Sequence, residues 1–136
     1  MEFVIHNWYL FLALVVVVYM LVYEPAMLKA YNIKLLNVHD TLRLMNDKTT
    51  VVVDVRETKE FAEGHMPHTI NIPLGKLAER SGELEKSKEH PVVLVCRSGN
   101  RSKKGAMILA KNGFKELYSL SGGVMDWQKD NLPLEK

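Results

Sequence analysis

The stretch that decides the fold is Val92-Val93-Leu94-Val95-Cys96-Arg97-Ser98-Gly99-Asn100-Arg101-Ser102. Its four leading apolar residues, three of them β-branched, read as a strand buried on both faces. The only cysteine of the chain follows at once. A short polar loop containing Gly99 comes next, and residues 102–111 then read as a helix closed by Gly113 in a left-handed cap. A cysteine between a strand exit and a helix start stands where unpaired backbone N–H groups converge. Such a place favours an anion, hence the thiolate over the thiol, and Arg97 and Arg101 act in the same direction. Arg101, Lys103 and Lys104 put positive charge at the helix end that the macrodipole disfavours, at about 0.3–1 kcal/mol each. That arrangement suits a site for an anionic substrate, although Lys103 and Lys104 are equally compatible with simple solvation.

Working outward, 50–53 is a second β-branched run and reads as another strand buried on both faces. Asp54 and Arg56 stand at its end, and the expectation is that Asp54 pairs with Arg101 and holds the cysteine loop in shape. Helical spacing of Val38, Leu42 and Met45 predicts a helix over 38–45, and 57–63 reads as a short acidic helix ending at Gly64. A short strand over 70–72 closes at Pro73, and 74–85 reads as helical turns interrupted by Gly82. A last strand over 116–120 precedes a terminal helix carrying Trp127, begun at Gly122 and Gly123. This alternation predicts an α/β fold with a parallel β-sheet flanked by helices on both faces. The cysteine then lies at the carboxyl end of a strand, where open α/β sheets bind ligands.

The cysteine loop, Cys96 to Ser102, resembles the active-site loop of the rhodanese-like sulfurtransferases. Three further blocks in the same order extend the resemblance. They are Val51-Val-Val-Asp54-Val-Arg56-Glu57, then Gly64-His65 through Asn71-Ile72-Pro73, then Gly122-Gly123-Val-Met-Asp126-Trp127. The resemblance implies that Cys96 is the catalytic nucleophile. It implies that Arg97, Ser98, Gly99, Asn100, Arg101 and Ser102 bind substrate, with Asp54 and Arg56 as structural support. The implied reaction moves sulfane sulfur from a small anionic donor such as thiosulfate to a thiol or protein acceptor through a Cys96 persulfide, with no metal and no organic cofactor. His65 and His68 are then turn-forming residues and not ligands, and Trp127 is core or pocket wall. Two other readings are weighed. Phosphatases of the same fold have one more residue between cysteine and arginine than the four found here between Cys96 and Arg101, which disfavours phosphatase or arsenate reductase activity, and a silent rhodanese-like module would recruit partners at a membrane.

The first quarter of the chain is of another kind. Residues 3–23 are almost unbroken apolar sequence, thirteen of them Phe, Leu, Ile or Val. As a helix this run is long enough to cross a hydrocarbon core of about 30 Å. Trp8 and Tyr9 near one end, with Tyr19 and Tyr23 near the other, suit two aromatic belts, and His6 and Asn7 suit the interface. There is no basic leader and no small-residue cleavage site, so the expectation is a retained single-pass anchor over 1–24, a linker over 25–34 and the catalytic domain over 35–136. No Lys or Arg precedes Lys29, so the domain is expected on the cytoplasmic side of a bacterial inner membrane. A single cysteine forms no intrachain disulfide and suits a reducing compartment. The net charge is +2 and basic residues are scattered among acids, so nucleic acid is not an expected partner, whereas a lipid bilayer is.

Overall fold

A computed structural model describes residues 1–136. Two helices open the chain, α1 (Glu2–His6) and α2 (Trp8–Ala30). The domain then runs β1 (Lys34–Leu36), α3 (Val38–Met45), β2 (Val51–Asp54), α4 (Thr58–Glu63), β3 (Thr69–Asn71) and a 3₁₀ turn at Leu74–Lys76. It continues with α5 (Leu77–Arg80), a 3₁₀ segment at Ser81–Ser87, β4 (Pro91–Val95), α6 (Asn100–Lys111), β5 (Glu116–Leu120) and α7 (Gly123–Lys129).

The five strands form one sheet in the order β1-β5-β4-β2-β3, every neighbouring pair parallel. The β-branched runs sit at its centre because only there are both faces covered. Val92 to Val95 and Val53 are completely buried. One face of the sheet packs with Leu77, Ala106, Leu109 and Phe114 from the α5 and α6 side. The other packs with Val38, Val124 and Trp127 from α3 and α7. The expected parallel α/β architecture is thus present, and the alternation of elements is what produces it.

Three local expectations are corrected. The helix does not stop at Glu24-Pro25 but continues to Ala30 with Pro25 inside it. Proline there removes one helical hydrogen bond, yet burial of Leu28 in the domain core holds the following turns. The segment expected as a linker, 25–34, is therefore helix and docked chain: Ile33 is buried, its N–H bonds to the Leu28 carbonyl at 2.8 Å, and Lys34 already pairs with Tyr118 in the sheet. Gly82 does not interrupt the helical turns; it lies inside the 3₁₀ segment, where α5 ends.

Other local contacts fix the remaining elements. Asn37 caps α3 by accepting from the Asp40 N–H at 2.8 Å. Gly113 has φ +92°, the conformation its place after α6 requires. His65 stacks on Phe61 with ring centroids 3.8 Å apart, and its Nδ1 lies 3.0 Å from the Phe61 carbonyl. Its backbone also pairs with Glu135, so this histidine ties the tail to α4. Trp127 is buried and donates its indole N–H to the Pro133 carbonyl at 2.9 Å.

Candidate active site

Cys96 follows the last residue of β4, and Asn100 opens α6, so the intervening loop caps the carboxyl end of the central strand. Gly99 has φ +104°, and a Cβ there would meet the Gly122 backbone nitrogen at 3.1 Å. Glycine both permits the left-handed turn and lets the loop approach the chain entering α7. That turn aims the Gly99 N–H at the Cys96 sulfur, 3.0 Å away. The N–H groups of Ser98, Asn100 and Arg101 donate to no backbone carbonyl. They are unpaired donors at the start of a twelve-residue helix, a place that stabilises negative charge.

The loop is held from behind by α7. Val124 and Met125 donate their N–H groups to the carbonyls of Cys96 and Arg97 at 2.9 and 3.1 Å. Gly123 is required for this contact, because a Cβ at that position would collide with both carbonyls. The glycine pair thus turns the first amides of α7 onto the outer rim of the cysteine loop.

Beneath the sulfur lies a buried hydroxyl pair. Ser102 Oγ lies 3.5 Å from Cys96 Sγ, 3.0 Å from the Gly99 carbonyl oxygen to which it donates, and 2.6 Å from Ser119 Oγ. Ser119 comes from β5 and is missing from the sequence-predicted set. The available signal was a serine directly before Leu120 in the buried half of β5.

The charged residues divide differently from expectation. Asp54 does not pair with Arg101. Its carboxylate accepts from the Arg56 backbone N–H at 2.9 Å and forms an ion pair with the Arg56 guanidinium at 2.8 Å, both side chains being buried. The reason is local: a turn directly after β2 brings residue 56 back over residue 54 before any distant partner reaches it. Arg56 also donates to the Gly64 carbonyl at 2.8 Å, and Asn71 donates to the carbonyls of Asp54 and Arg56, so the pair joins β2, β3 and the end of α4. Arg101 instead grips Glu60 of α4 with two hydrogen bonds, at 2.7 and 3.1 Å. This contact holds the Glu60 carboxyl below the usual carboxylate range and raises Arg101 above the ordinary guanidinium value. Lys103 pairs with Glu24 at 3.0 Å, while Lys104 is exposed to solvent.

Arg97 is left as the exposed loop cation with no carboxylate partner. It borders a cleft of about 540 Å³ lined also by Arg56, Glu60, Val124, Met125 and Gln128. Ser98 and Asn100 are likewise exposed on the loop rim. The structure therefore gathers Cys96, Gly99 and Ser102 around the sulfur, places Arg97, Ser98 and Asn100 at the mouth, and turns Arg101 towards α4.

Comparison with known proteins agrees with this geometry. Residues 37–130 match the rhodanese-like domain family model. The chain is 39% identical over 103 residues to the Escherichia coli protein YibN, described as uncharacterized, covering 75% of this chain and 72% of that one. It is 32% identical over 92 residues to a sulfurtransferase of Allochromatium vinosum, covering 68% and 84%. A rhodanese-related protein from Thermoplasma volcanium superimposes with a TM-score of 0.66 at 29% identity, over 75% of this chain and 97% of that one. The parallel sheet, the cysteine at its carboxyl edge and the matched span together mean that this chain belongs to the rhodanese-like domain family.

Proposed function

We propose that this protein is a sulfurtransferase, anchored to a membrane by α2, that carries sulfane sulfur on Cys96. Family membership and relatives described as sulfurtransferases support sulfur transfer in general. The observation that carries the specific reading is the Gly99 N–H held 3.0 Å from the Cys96 sulfur, next to the unpaired amides that open α6 and with unpaired Arg97 on the loop.

In the first half-reaction the Cys96 thiolate attacks the outer sulfur of a donor such as thiosulfate. The sulfur–sulfur bond of the donor breaks, sulfite leaves with the electron pair, and Cys96 becomes a persulfide. Arg97 attracts the donor dianion, and the amides of the loop receive the charge carried by the transferred sulfur. In the second half-reaction an acceptor thiolate, or cyanide in an assay, attacks the outer sulfur. The bond to Cys96 breaks with its electron pair returning to the Cys96 sulfur, so the cycle closes without net oxidation or reduction.

The helix Trp8–Ala30 is long and apolar enough to span a membrane, and its apolar portion is exposed along its length and not used as domain core. Its continuation into the docked turn at Leu28 supports a retained anchor. The lack of Lys or Arg before Lys29 supports a cytoplasmic domain.

A thiosulfate:cyanide assay on the full chain, with intact mass after thiosulfate treatment, tests the reaction. Thiocyanate release, a gain of one sulfur atom, and loss of both in Cys96→Ser are expected. Release of phosphate from an aryl phosphate, or no turnover and no added sulfur, would overturn the reading in favour of a phosphatase or a recruitment module. Co-sedimentation of the intact chain with membranes after alkaline wash tests the anchor.

A further inference from the structure

Glu24 is the first charged residue after the apolar run, and its carboxylate pairs with Lys103 in the first turn of α6, 3.0 Å away. That turn immediately follows the Cys96 loop. From Glu24, α2 descends beside α6, burying Leu28, and delivers Asn32 to the opposite end of the sheet. There Asn32 lines a surface depression with Glu89, Lys115 and Glu116, the residues at the amino ends of β4 and β5. The helix therefore enters the domain at the carboxyl end of the strands, and its apolar part projects beyond the end that carries Cys96. No flexible linker intervenes, because the helix is continuous from Trp8 to Ala30.

From this juxtaposition we infer that α2 holds the catalytic mouth against the bilayer surface, where the sulfur acceptor is a cysteine thiolate of an integral membrane protein at headgroup height. This rests on the sulfur-transfer and anchor readings given above. The apolar run ends at Tyr23 and the Cys96–Ser102 loop ends next to Lys103, the partner of Glu24, so mouth and headgroups share one level. A thiol at that level belongs to a protein, since common bilayer lipids carry none. The cleft beside Arg97, about 540 Å³ and walled by Glu60, Glu63 and Gln128 as well as Val124, Met125 and Leu134, offers more room than a small anion uses and accommodates a cysteine-bearing segment with polar as well as apolar contacts. In the transfer the acceptor thiolate attacks the outer persulfide sulfur, the bond to Cys96 breaks, and Cys96 retains the electron pair as thiolate.

Cys96 is the only cysteine, which makes the test direct. In a Cys96→Ser background of the full chain in vesicles, a fluorophore is attached at Ser98→Cys or at Lys115→Cys, positions at opposite ends of the sheet. Lipid carrying a nitroxide on its headgroup should quench the first several-fold more than the second. A long Gly/Ser insertion between Tyr23 and Glu24 of the otherwise native chain should erase that difference. In the native chain the same insertion should slow sulfur transfer to a single-cysteine transmembrane peptide with its thiol at headgroup level, and leave the rate to cyanide unchanged. Equal quenching at the two sites, or transfer to the peptide thiol indifferent to the insertion, overturns this inference while thiocyanate formation keeps the sulfur-transfer reading intact. Absence of thiocyanate formation by the native chain overturns both.

Discussion

Ser119 Oγ on β5 lies 2.6 Å from Ser102 Oγ on α6, and both side chains are wholly buried beneath the Cys96 sulfur. Ser119 has no other hydrogen-bond partner, so its proton goes to the Ser102 oxygen, leaving the Ser102 proton for the Gly99 carbonyl or for a sulfur anion. The Cys96 thiol in turn faces the Ser102 oxygen at 3.5 Å. Ser102→Ala removes both the acceptor facing the Cys96 thiol and the donor to the Gly99 carbonyl, and is expected to lower kcat for sulfur transfer about tenfold with a smaller change in KM. Ser119→Ala leaves the Ser102 contacts with Cys96 and Gly99 in place and is expected to reduce kcat less. Steady-state kinetics of the two variants check the order.

Asp54 and Arg56 form a buried ion pair at 2.8 Å at the end of β2. Asp54→Ala leaves the guanidinium buried without its counter-charge and is expected to destabilise the fold by about 3–5 kcal/mol. Asp54→Asn keeps a hydrogen-bond acceptor for the Arg56 N–H and should cost less. Thermal melting of the full chain in detergent micelles compares the three.

Gly123 has φ +56°, and a Cβ there would strike the carbonyls of Cys96 and Arg97. Gly123→Ala combines overpacking with an unfavourable left-handed alanine and should cost about 2–4 kcal/mol. Sulfur uptake should fall with it, since the loop carbonyls must move. Gly75→Ala is the control: nothing lies within 4 Å of its Cβ position, and stability and activity should stay near wild type.

Arg101 holds the Glu60 carboxyl below its usual range through two hydrogen bonds. A depressed folded-state carboxyl contributes stability above its unfolded value, and the contribution is lost as pH falls through the lower folded value. Each side chain is about one-third exposed, 33% for Arg101 and 36% for Glu60, so solvent screening limits the pair to about 1 kcal/mol or less. Glu60→Gln retains an acceptor for the Glu57 N–H but no charge. The stability gap between wild type and this variant should be widest near neutral pH and close as pH drops below the ordinary glutamate range near 4.5. Denaturation midpoints measured at pH 7, 5 and 3.5 check the sign.

The site was legible where its causes were local. Runs of β-branched residues specified β2 and β4, the Gly99 turn specified how the loop leaves β4, and Gly122-Gly123 specified the break before α7. Each is a matter of backbone sterics or of which short segments survive burial on both faces, and neighbours in sequence decide it. The apolar composition of 3–23 likewise determined a helix able to cross a bilayer.

Partnerships between distant residues were decided only by the tertiary structure. The strand order β1-β5-β4-β2-β3 sets Ser119 under Ser102, a neighbour that spacing along the chain does not announce. The tight turn after β2 claims Asp54 for Arg56, which releases Arg101 to Glu60 on α4. Docking of Leu28 carries α2 past Pro25 and joins Glu24 to Lys103. Local conformation follows from short-range sterics and burial pattern, whereas the pairing of charges and hydroxyls depends on which elements the packed sheet brings together. The sequence therefore determined the strand–loop–helix setting of Cys96, and the fold alone decided which side chains support it and which way it faces.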